Sequence, residues 1–497
     1  MSAAYEYHEV LEARPQSVHV WRQTDGASLA MNYYQNGMNF LEPEIHFHSS
    51  DDYTSGYCVG EFPIIYYATA MLYHIFGPHE FLLRAVHLLL FYLGLFSLFK
   101  LLVNVLRDKF WAMGISLLFF TFPVIVFYAN NFLPNVPGIA IAFMAWYAFV
   151  RYREKEKKYL LYLSFGLFTL AGLLKITALL SMVPLLGILL LDMFNLLPKL
   201  GFKKNFIHHK WHAFIAVLIS VFAVIFWYRY AISYNNSHQS VYFSTHTWPI
   251  WEMSNEDIAL TIKTVCGLWL GQYFSFSVLI VFLAGLLYFI VRLRRYNPFF
   301  SYMNLCIMIG VILYSLLWFL NFKNHDYYAI NLLIWPLFII VSFLDYLRRN
   351  HYRFYTAWWL KSLFAFFLYT NIMYAEVQHS YRFVGWMNNN GNIPEMWDME
   401  PYLRSLGIDR KDKVISIPDP SPNHSLYIIN QAGWSDLYNA AGSTEKINKL
   451  INNGAKYLIV NDISVFKTRP YLQAYAKEEV GNYGSVFIYK LSPEMVK

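Results

Sequence analysis

Long apolar runs alternate with short polar segments from about residue 84 to about residue 375. Most runs approach the roughly 20 residues that an α-helix needs to cross the hydrocarbon core of a membrane. Basic or aromatic residues bound most of them, as expected at a membrane interface. The pattern predicts ten membrane-spanning helices, at about residues 84–106, 110–128, 136–150, 159–173, 176–194, 211–231, 267–291, 300–320, 328–346 and 356–375.

The segments on either side of these runs have other patterns. Near the N-terminus, "TDGASLAMNYYQNG" predicts a short helix that Thr24 or Asp25 caps, and "GEFPIIYYATAMLYHIFG" predicts a short helix lying at the membrane interface. After residue 376, short β-branched runs alternate with one helical pattern, which is typical of a small α/β domain. The sequence therefore predicts an outer segment 1–83, a transmembrane domain 84–375 and an α/β domain 376–497.

The composition is that of a membrane protein. Hydrophobic residues make up 57% of the 497 residues and charged residues only 14%, a balance that a soluble globular domain rarely has. The formal net charge of +7 would be compatible with nucleic-acid binding. The basic residues are instead spread over short loops between the apolar runs, so we expect no nucleic-acid partner. The fold class is therefore a mainly α, polytopic membrane protein with a small α/β domain at its C-terminus.

The charges also predict an orientation. One set of alternate loops carries 17 Lys and Arg residues, whereas the opposite set carries only Lys175, Lys263 and Lys323. The positive-inside rule makes the first set cytoplasmic and places residues 1–83 and everything after about 376 on the extracytoplasmic side of the cell membrane. Residues 1–20 contain neither a signal-peptide core nor a spanning helix. Either an N-terminal helix is missing from this sequence or the first segment is translocated without one, and we favour the missing helix.

Acids and cations meet on the predicted outer face. Asp25 and Glu61 are carboxylates beside aromatic residues in the outer segment, and the other candidates lie where spans emerge on that face. Acids together with cations suit a reaction that takes a proton from an acceptor and releases an anionic leaving group, such as a lipid phosphate. The cationic and hydroxyl-bearing candidates are Arg22, Arg84, Lys175, His325, Tyr327 and Tyr328.

Structural explanations compete with these assignments. Asp25 is a good N-cap residue that stabilises the positive end of a helix dipole, and Glu61 before Pro63 has the same alternative. Lys175 and Arg84 equally fit the role of interfacial anchors whose charged ends reach the headgroups. Tyr327 and Tyr328, in the turn "KNHDYY", also fit an aromatic belt.

A metal site has little support. "HFH" at residues 46–48, followed by Asp51 and Asp52, contains residue types that bind divalent metals. The same residues are common in solvated loops, so the sequence supports no cofactor and leaves a divalent metal as a minor alternative.

The motifs occur in a recognisable order. "HVWRQTD", then "GEFPIIYY", "GLLKIT" and "HDYY", resemble the GT-C membrane glycosyltransferases, in particular the bacterial dolichyl-phosphate-mannose-protein mannosyltransferase-like group that includes the aminoarabinose transferases. The resemblance covers roughly residues 15–375. It implies transfer of a sugar from a polyprenyl-phosphate donor to an extracytoplasmic acceptor, usually with inversion at the anomeric carbon. It also implies a spanning helix before the first acid.

The resemblance assigns roles to matching residues. The catalytic acid of the first outer loop matches Asp25, and the acid before the proline of the second motif matches Glu61. The His-Tyr-Tyr turn near the donor phosphate matches His325, Tyr327 and Tyr328. Aminoarabinose transferases often have a lysine between the second acid and the proline. This sequence has Phe62 there, which argues against that substrate.

The resulting hypothesis is a glycosyltransferase in which Asp25 acts as general base and Glu61 helps to form the active site. Lys175, Arg84, Arg22, His325 and the two tyrosines hold the departing phosphate. The partners are a polyprenyl-phosphate-linked sugar, an acceptor that is a lipid, glycan or protein, and membrane lipids.

Two other function classes remain open. A transporter or flippase of lipid-linked sugars would place ionisable residues inside its spans, where this chain has few. An inactive glycan-binding or assembly protein would use the outer α/β domain instead, and deleting residues 380–497 discriminates that case.

Overall fold

The computed structural model describes residues 1–202, 206–240, 242–243, 247–384 and 393–492. Parts of the predicted loops 195–210 and 232–266 lie outside these residues. The helices are α1 Tyr7–Val10, α2 Val20–Gln35, α3 Ile64–Phe76, α4 Glu80–Leu106, α5 Lys109–Phe119, α6 Pro123–Ala129, α7 Asn135–Lys155, α8 Lys158–Leu174, α9 Met182–Met193, α10 Lys210–Ser237, α11 Asn255–Thr264, α12 Leu270–Tyr273, α13 Phe276–Arg292, α14 Pro298–Leu317, α15 Asn321–Asn324, α16 Ile334–Asn350, α17 Tyr352–Thr356, α18 Trp358–Val384, α19 Met399–Ser405, α20 His424–Ile428, α21 Thr444–Asn452, α22 Ile463–Lys467 and α23 Pro470–Gln473. The strands are β1 Lys413–Ile417, β2 Gly433–Ser435, β3 Ala455–Val460, β4 Ala476–Tyr483 and β5 Val486–Leu491.

The chain forms two compact units. The helical unit comprises Met1–Tyr7, Ala85–Tyr228 and His246–Ser380, and the mixed unit comprises His8–Arg84, Arg229–Thr245 and Tyr381–Lys497. The predicted fold class, a mainly helical membrane protein with a small C-terminal α/β region, is confirmed. The boundaries of the three predicted parts stay a prediction.

The predicted number of spans differs from what the described residues contain. Six helices are long and apolar enough to cross a membrane, or seven if a bent pair counts as one span. The six match predicted spans and cover Glu80–Leu106, Ile176–Met193, Lys210–Ser237, Phe276–Arg295, Pro298–Leu317 and Asp326–Asn350.

The four other predicted spans differ from this set for identifiable reasons. The run at 110–128 is broken at Pro123 into α5 and α6, which are bent by 76°. The helices α7 and α18 carry polar and charged residues towards their C-terminal ends, and α8 has only 17 residues. The number of spans therefore stays a prediction.

Local signals fix several helix starts in the helical unit. Asp108 accepts hydrogen bonds from the backbone N–H groups of Phe110 and Trp111 at the start of α5. Ser275 caps α13 in the same way, and Asn297 precedes Pro298 at the first position of α14. Such caps satisfy backbone donors that a helix leaves unpaired at its N-terminus.

The mixed unit is built on a five-stranded sheet in the order β2-β1-β3-β5-β4. The strand β1 is parallel to β2 and β3, whereas β5 is antiparallel to β3 and β4. The first outer segment joins this sheet, because Phe47 pairs with Gly433 of β2. The short helix predicted within residues 24–37 is present as α2, Val20–Gln35, and the apolar pattern at 60–77 forms α3.

Candidate functional site

Asp25 lies inside α2 and does not cap it. The N-cap position is His19, whose φ of 56° places it in the left-handed region, and no side chain among the described residues caps this end. Thr24 also does not cap the helix, since its hydroxyl donates to the carbonyl oxygen of Trp21 at 2.7 Å. The capping interpretation of Asp25 and Thr24 is therefore wrong, because the helix begins about one turn earlier than the sequence suggested.

The Asp25 carboxylate has two polar partners. Arg22, one turn earlier on α2, places Nη1 at 3.2 Å from Oδ2. The hydroxyl of Tyr242 donates to both carboxylate oxygens, at 2.8 and 2.9 Å. Only 1% of Asp25 is exposed. A buried carboxylate needs such donors, because an unpaired charge in a protein interior is strongly unfavourable.

Glu61 is tied to the same arginine. Its Oε2 lies 2.5 Å from Nη2 of Arg22, so the guanidinium bridges the carboxylates of Asp25 and Glu61. The helix α3 that follows has Pro63 at its N-cap and no side-chain cap, so the capping alternative for Glu61 is also wrong. We name Arg22, Asp25, Glu61 and Tyr242 the Asp25 group.

The surroundings shift the proton affinity of Asp25. Burial raises the pKa of Asp25 from 3.8 to about 6, although the charge of Arg22 and the hydrogen bonds from Tyr242 and Arg22 lower it. The negative charge of Glu61 adds a smaller rise. Asp25 is consequently mostly ionised at neutral pH and more basic than an exposed aspartate, a combination that suits a general base.

Aromatic residues pack closely around the Asp25 group. A Cβ on Gly26 would lie 2.5 Å from Cε1 of Tyr66, so only glycine lets that ring approach α2 beside Asp25. The guanidinium carbon of Arg22 lies 5.4 Å from the ring centroid of Phe243. Phe62, the residue at the lysine position of aminoarabinose transferases, has its ring centroid 5.1 Å from that of Phe40.

A second cluster lies in the helical unit. Lys175 follows α8 in an extended conformation, and its Nζ is 5.3 Å from the ring centroid of Tyr328. The His325 ring lies 5.3 Å from that of Tyr327 and 5.6 Å from that of Tyr328. The structure therefore brings together these four residues from two distant motifs. We name Lys175, His325, Tyr327 and Tyr328 the Lys175 group.

Asp326 supports the turn that carries this group. It is fully buried and accepts a hydrogen bond from the hydroxyl of Tyr128 at 2.7 Å. A few residues further on, the Asn331 side chain donates to the hydroxyl of Thr177 at 2.8 Å and links this turn to the residues after Lys175. The sequence predicted the motif but indicated no role for Asp326, because its partner Tyr128 lies 198 residues away in the chain.

Arg84 occupies a different environment from the one expected. Its Nη2 donates to the carbonyl oxygen of Ala13 at 3.1 Å, and only 1% of the residue is exposed. A buried guanidinium of this kind does not fit an interfacial anchor, and its assignment to the donor phosphate stays a prediction.

The histidines and acids of "HFHSSDD" do not converge on a metal. His46 contacts the Ser28 hydroxyl through Nδ1 at 2.7 Å and Asn430 through Nε2 at 3.2 Å, and burial lowers its pKa to about 4. Asp51 faces His238, whereas Asp52 binds Lys449. Within the part of the chain that the structure describes, no three such ligands form a metal-binding group.

Sequence comparison finds a family match over part of the chain. Residues 61–227 match the family model described as dolichyl-phosphate-mannose-protein mannosyltransferase. This range contains Glu61, Arg84 and Lys175 but neither Asp25 nor His325. No curated protein matches the sequence.

Solved structures share the fold over nearly the whole chain. Apo ArnT from Cupriavidus metallidurans superposes with a TM-score of 0.60 at 11% identity, covering 98% of this chain and 96% of that one. The same protein bound to undecaprenyl phosphate gives a TM-score of 0.58 at 12% identity, with the same coverage. The Archaeoglobus fulgidus oligosaccharyltransferase tethered to an acceptor peptide gives 0.53 at 12% identity, over 99% of this chain and 73% of that one.

At these identities the likeness is one of fold. Together with the family match, it confirms the resemblance to GT-C membrane glycosyltransferases of the mannosyltransferase and ArnT type that the motifs predict.

Proposed function

We propose that the protein is a membrane glycosyltransferase that transfers a sugar from a polyprenyl-phosphate donor to an acceptor on the extracytoplasmic side of the cell membrane. The observation that carries the proposal is the Asp25 group, a buried carboxylate held by Arg22 and Tyr242 whose pKa is raised to about 6. The family match and the fold support the reaction class. The printed descriptions of ArnT bound to undecaprenyl phosphate and of an oligosaccharyltransferase with an acceptor peptide support the classes of donor and acceptor.

In this mechanism the Asp25 carboxylate takes the proton of an acceptor hydroxyl. The acceptor oxygen forms a bond to the anomeric carbon as the bond from that carbon to the phosphate oxygen breaks. The polyprenyl phosphate leaves as an anion, and the anomeric centre is inverted. Since both Asp25 oxygens accept from the Tyr242 hydroxyl in this structure, the acceptor hydroxyl takes the place of the Tyr242 hydroxyl at one of them.

Arg22 has a positioning role in this scheme. Its single positive charge lies between two carboxylates and keeps the pKa of Asp25 from rising further. The Lys175 group supplies a cation, an imidazole and two phenols, which are suitable donors to a phosphate. We assign these four residues to the donor phosphate, as the motif resemblance implies.

The decisive experiment replaces Asp25 by Asn in the purified full-length protein. Asn preserves the size of the side chain but cannot accept the proton, so transfer should fall by roughly 100-fold to 10,000-fold. The assay follows release of undecaprenyl phosphate from undecaprenyl-phosphate-mannose in the presence of membrane extracts as acceptor source.

Asp52→Asn is the matched control, because this acid belongs to the same outer segment but pairs with Lys449 at the surface. It should retain wild-type transfer. An Asp25→Asn enzyme with wild-type turnover would refute the assignment of the base. Facilitated movement of the lipid-linked sugar without any product would instead favour a transporter.

A further inference from the structure

The helical unit contains a cavity of about 660 Å³, well within the size range of ligand-binding pockets. It is lined by the C-terminal part of α4, by α7 from Phe143 to Arg153, by the N-terminal half of α14 and by α16 along its length. Its walls are mostly apolar and aromatic, with side chains such as Phe143, Trp146, Met303 and Leu337. An apolar wall of this kind fits a hydrocarbon chain rather than a hydrated solute.

One part of the cavity lining is cationic. Among the residues that the structure describes, four arginines line it and one acid, Asp345. Asp345 is buried and accepts from Arg348 and Arg349, each at 2.7 Å. The described lining therefore keeps a net positive charge. Its arginines lie at or near helix ends that the positive-inside rule assigns to the cytoplasmic side. The four arginines are Arg107, Arg153, Arg348 and Arg349.

Two of these arginines retain donors that no described residue satisfies. The Nε atoms of Arg153 and Arg348 are both buried, and neither has a hydrogen-bond partner among the described residues. The Arg153 guanidinium lies 3.7 Å from the ring centroid of Phe206, which holds its plane in place. Buried donors without partners are unfavourable, and the planar guanidinium group matches the geometry of phosphate and carboxylate anions.

We propose that this cavity binds an anionic phospholipid, with an acyl chain along the apolar walls and the phosphate at Arg153 and Arg348. A free phosphate would leave the apolar walls without contacts, and a lipid without net charge would leave the arginines uncompensated. The cytoplasmic leaflet, where the loop charges place these helix ends, is the leaflet in which anionic lipids attract basic residues. The described cavity lining shares no residue with the Asp25 and Lys175 groups, and the proposal does not depend on the proposed reaction.

The test measures lipid retention by the full-length protein in detergent. Native mass spectrometry, with phosphatidylglycerol and phosphatidylcholine of identical chains, gives the apparent affinity for each lipid, and thermal unfolding gives an independent readout. The wild-type protein should retain one phosphatidylglycerol more tightly than phosphatidylcholine and should unfold at a higher temperature with it. Arg153→Gln should weaken phosphatidylglycerol binding by roughly tenfold or more and leave phosphatidylcholine binding unchanged.

Arg295→Gln is the matched control. Arg295 is an exposed arginine on the same predicted side of the membrane, and it does not line the cavity. This variant should keep the wild-type preference. Equal loss in Arg153→Gln and Arg295→Gln would overturn the site, because a general surface attraction would then explain the preference.

A further variant and two competing ligands test whether the bound anion is a phospholipid. Val150→Phe places a larger side chain in the lining and should reduce retention without removing a charge. If soluble glycerol phosphate displaces the lipid at equal concentration, or if undecaprenyl phosphate binds and phosphatidylglycerol does not, the proposal fails. Retention that survives both Arg153→Gln and Val150→Phe also contradicts it.

Discussion

The Asp25 group and the Lys175 group both combine charged and aromatic side chains, but they use charge differently. In the Asp25 group a buried carboxylate is surrounded by donors, and burial raises its pKa to about 6. In the Lys175 group a cation lies over the face of Tyr328 beside the His325 ring. The first arrangement suits taking up a proton, and the second suits holding an anion.

The difference also lies in how each group is held. Two short helices, α2 and α3, and one residue of a later loop assemble the Asp25 group, with Gly26 allowing the close approach of Tyr66. The turns after α8 and α15 assemble the Lys175 group. Hydrogen bonds of Asp326 with Tyr128 and of Asn331 with Thr177 hold these turns in place. A change in pH should therefore act through the Asp25 group, whereas changes in donor binding should act through the Lys175 group.

After Asp25→Asn, the largest effect in a test of this contrast is expected from Lys175→Gln. Removing one donor that stabilises developing negative charge lowers kcat by about 100-fold to 1,000-fold, and we expect a loss of that order here. The shape of the pH profile should stay that of the wild type, because Lys175 does not take up the proton. The measurement is kcat and KM for undecaprenyl-phosphate-mannose from pH 5 to 9.

Lys263→Gln provides the control for that variant. Lys263 is an exposed lysine of the same predicted outer set, on α11, and its removal should leave both constants unchanged. A wild-type kcat in Lys175→Gln would contradict the phosphate assignment and favour the alternative that Lys175 is an interfacial anchor.

A smaller, pH-dependent effect is expected from Arg22→Gln. Arg22 lowers the pKa of Asp25, so its loss should raise that pKa above about 6. A shift of one to two units would reduce the ionised fraction at pH 7 by roughly 2-fold to 10-fold. Because the carboxylate ionises again at higher pH, activity should recover towards pH 9.

The control for Arg22 is Arg14→Gln, an arginine of the same unit that pairs with Glu80. It should not move the acid limb of the pH profile. A loss in Arg22→Gln that is the same at pH 7 and pH 9 would mean that Arg22 contacts substrate instead of tuning Asp25.

Part of this comparison could be predicted from the sequence. The order of the motifs and the charge of the loops predicted Asp25 and Glu61 in one outer segment, and the structure joins both to Arg22. The sequence also predicted Lys175 together with "HDYY", because alternate loops emerge on the same side of a membrane. The small α/β domain followed from its β-branched runs.

The remaining features depend on contacts between distant residues. Tyr242 lies 217 residues from Asp25 in a loop with many aromatic residues, and no local pattern marks it as a partner of a carboxylate. Hydropathy also could not show that the apolar run 110–128 bends at Pro123. The helix α2 begins about one turn before the predicted cap, so Asp25 lies inside the helix and does not cap it. Helix boundaries are the least reliable part of a prediction from sequence.

The smallest loss of activity in this series is expected from Tyr242→Phe, which removes a single hydroxyl group. The Tyr242 hydrogen bond stabilises ionised Asp25 and lowers its pKa, so its removal raises the pKa. Loss of one hydrogen bond to a charged group corresponds to roughly one pH unit, since 1.4 kcal/mol is about one unit. We expect the acid limb of kcat/KM to fall below about pH 6 in the wild type, so in Tyr242→Phe it should move to higher pH with a loss of only a few-fold at pH 7.

Tyr230→Phe separates this effect from a general loss of a phenol. The Tyr230 hydroxyl donates to the carbonyl oxygen of Leu41 and does not contact Asp25, so its profile should match the wild type. If Tyr242→Phe leaves the acid limb unmoved while Arg22→Gln shifts it, the phenol does not control the proton affinity of Asp25. If neither variant shifts the limb, the titrating base is a residue other than Asp25, and the contrast between the two groups no longer holds.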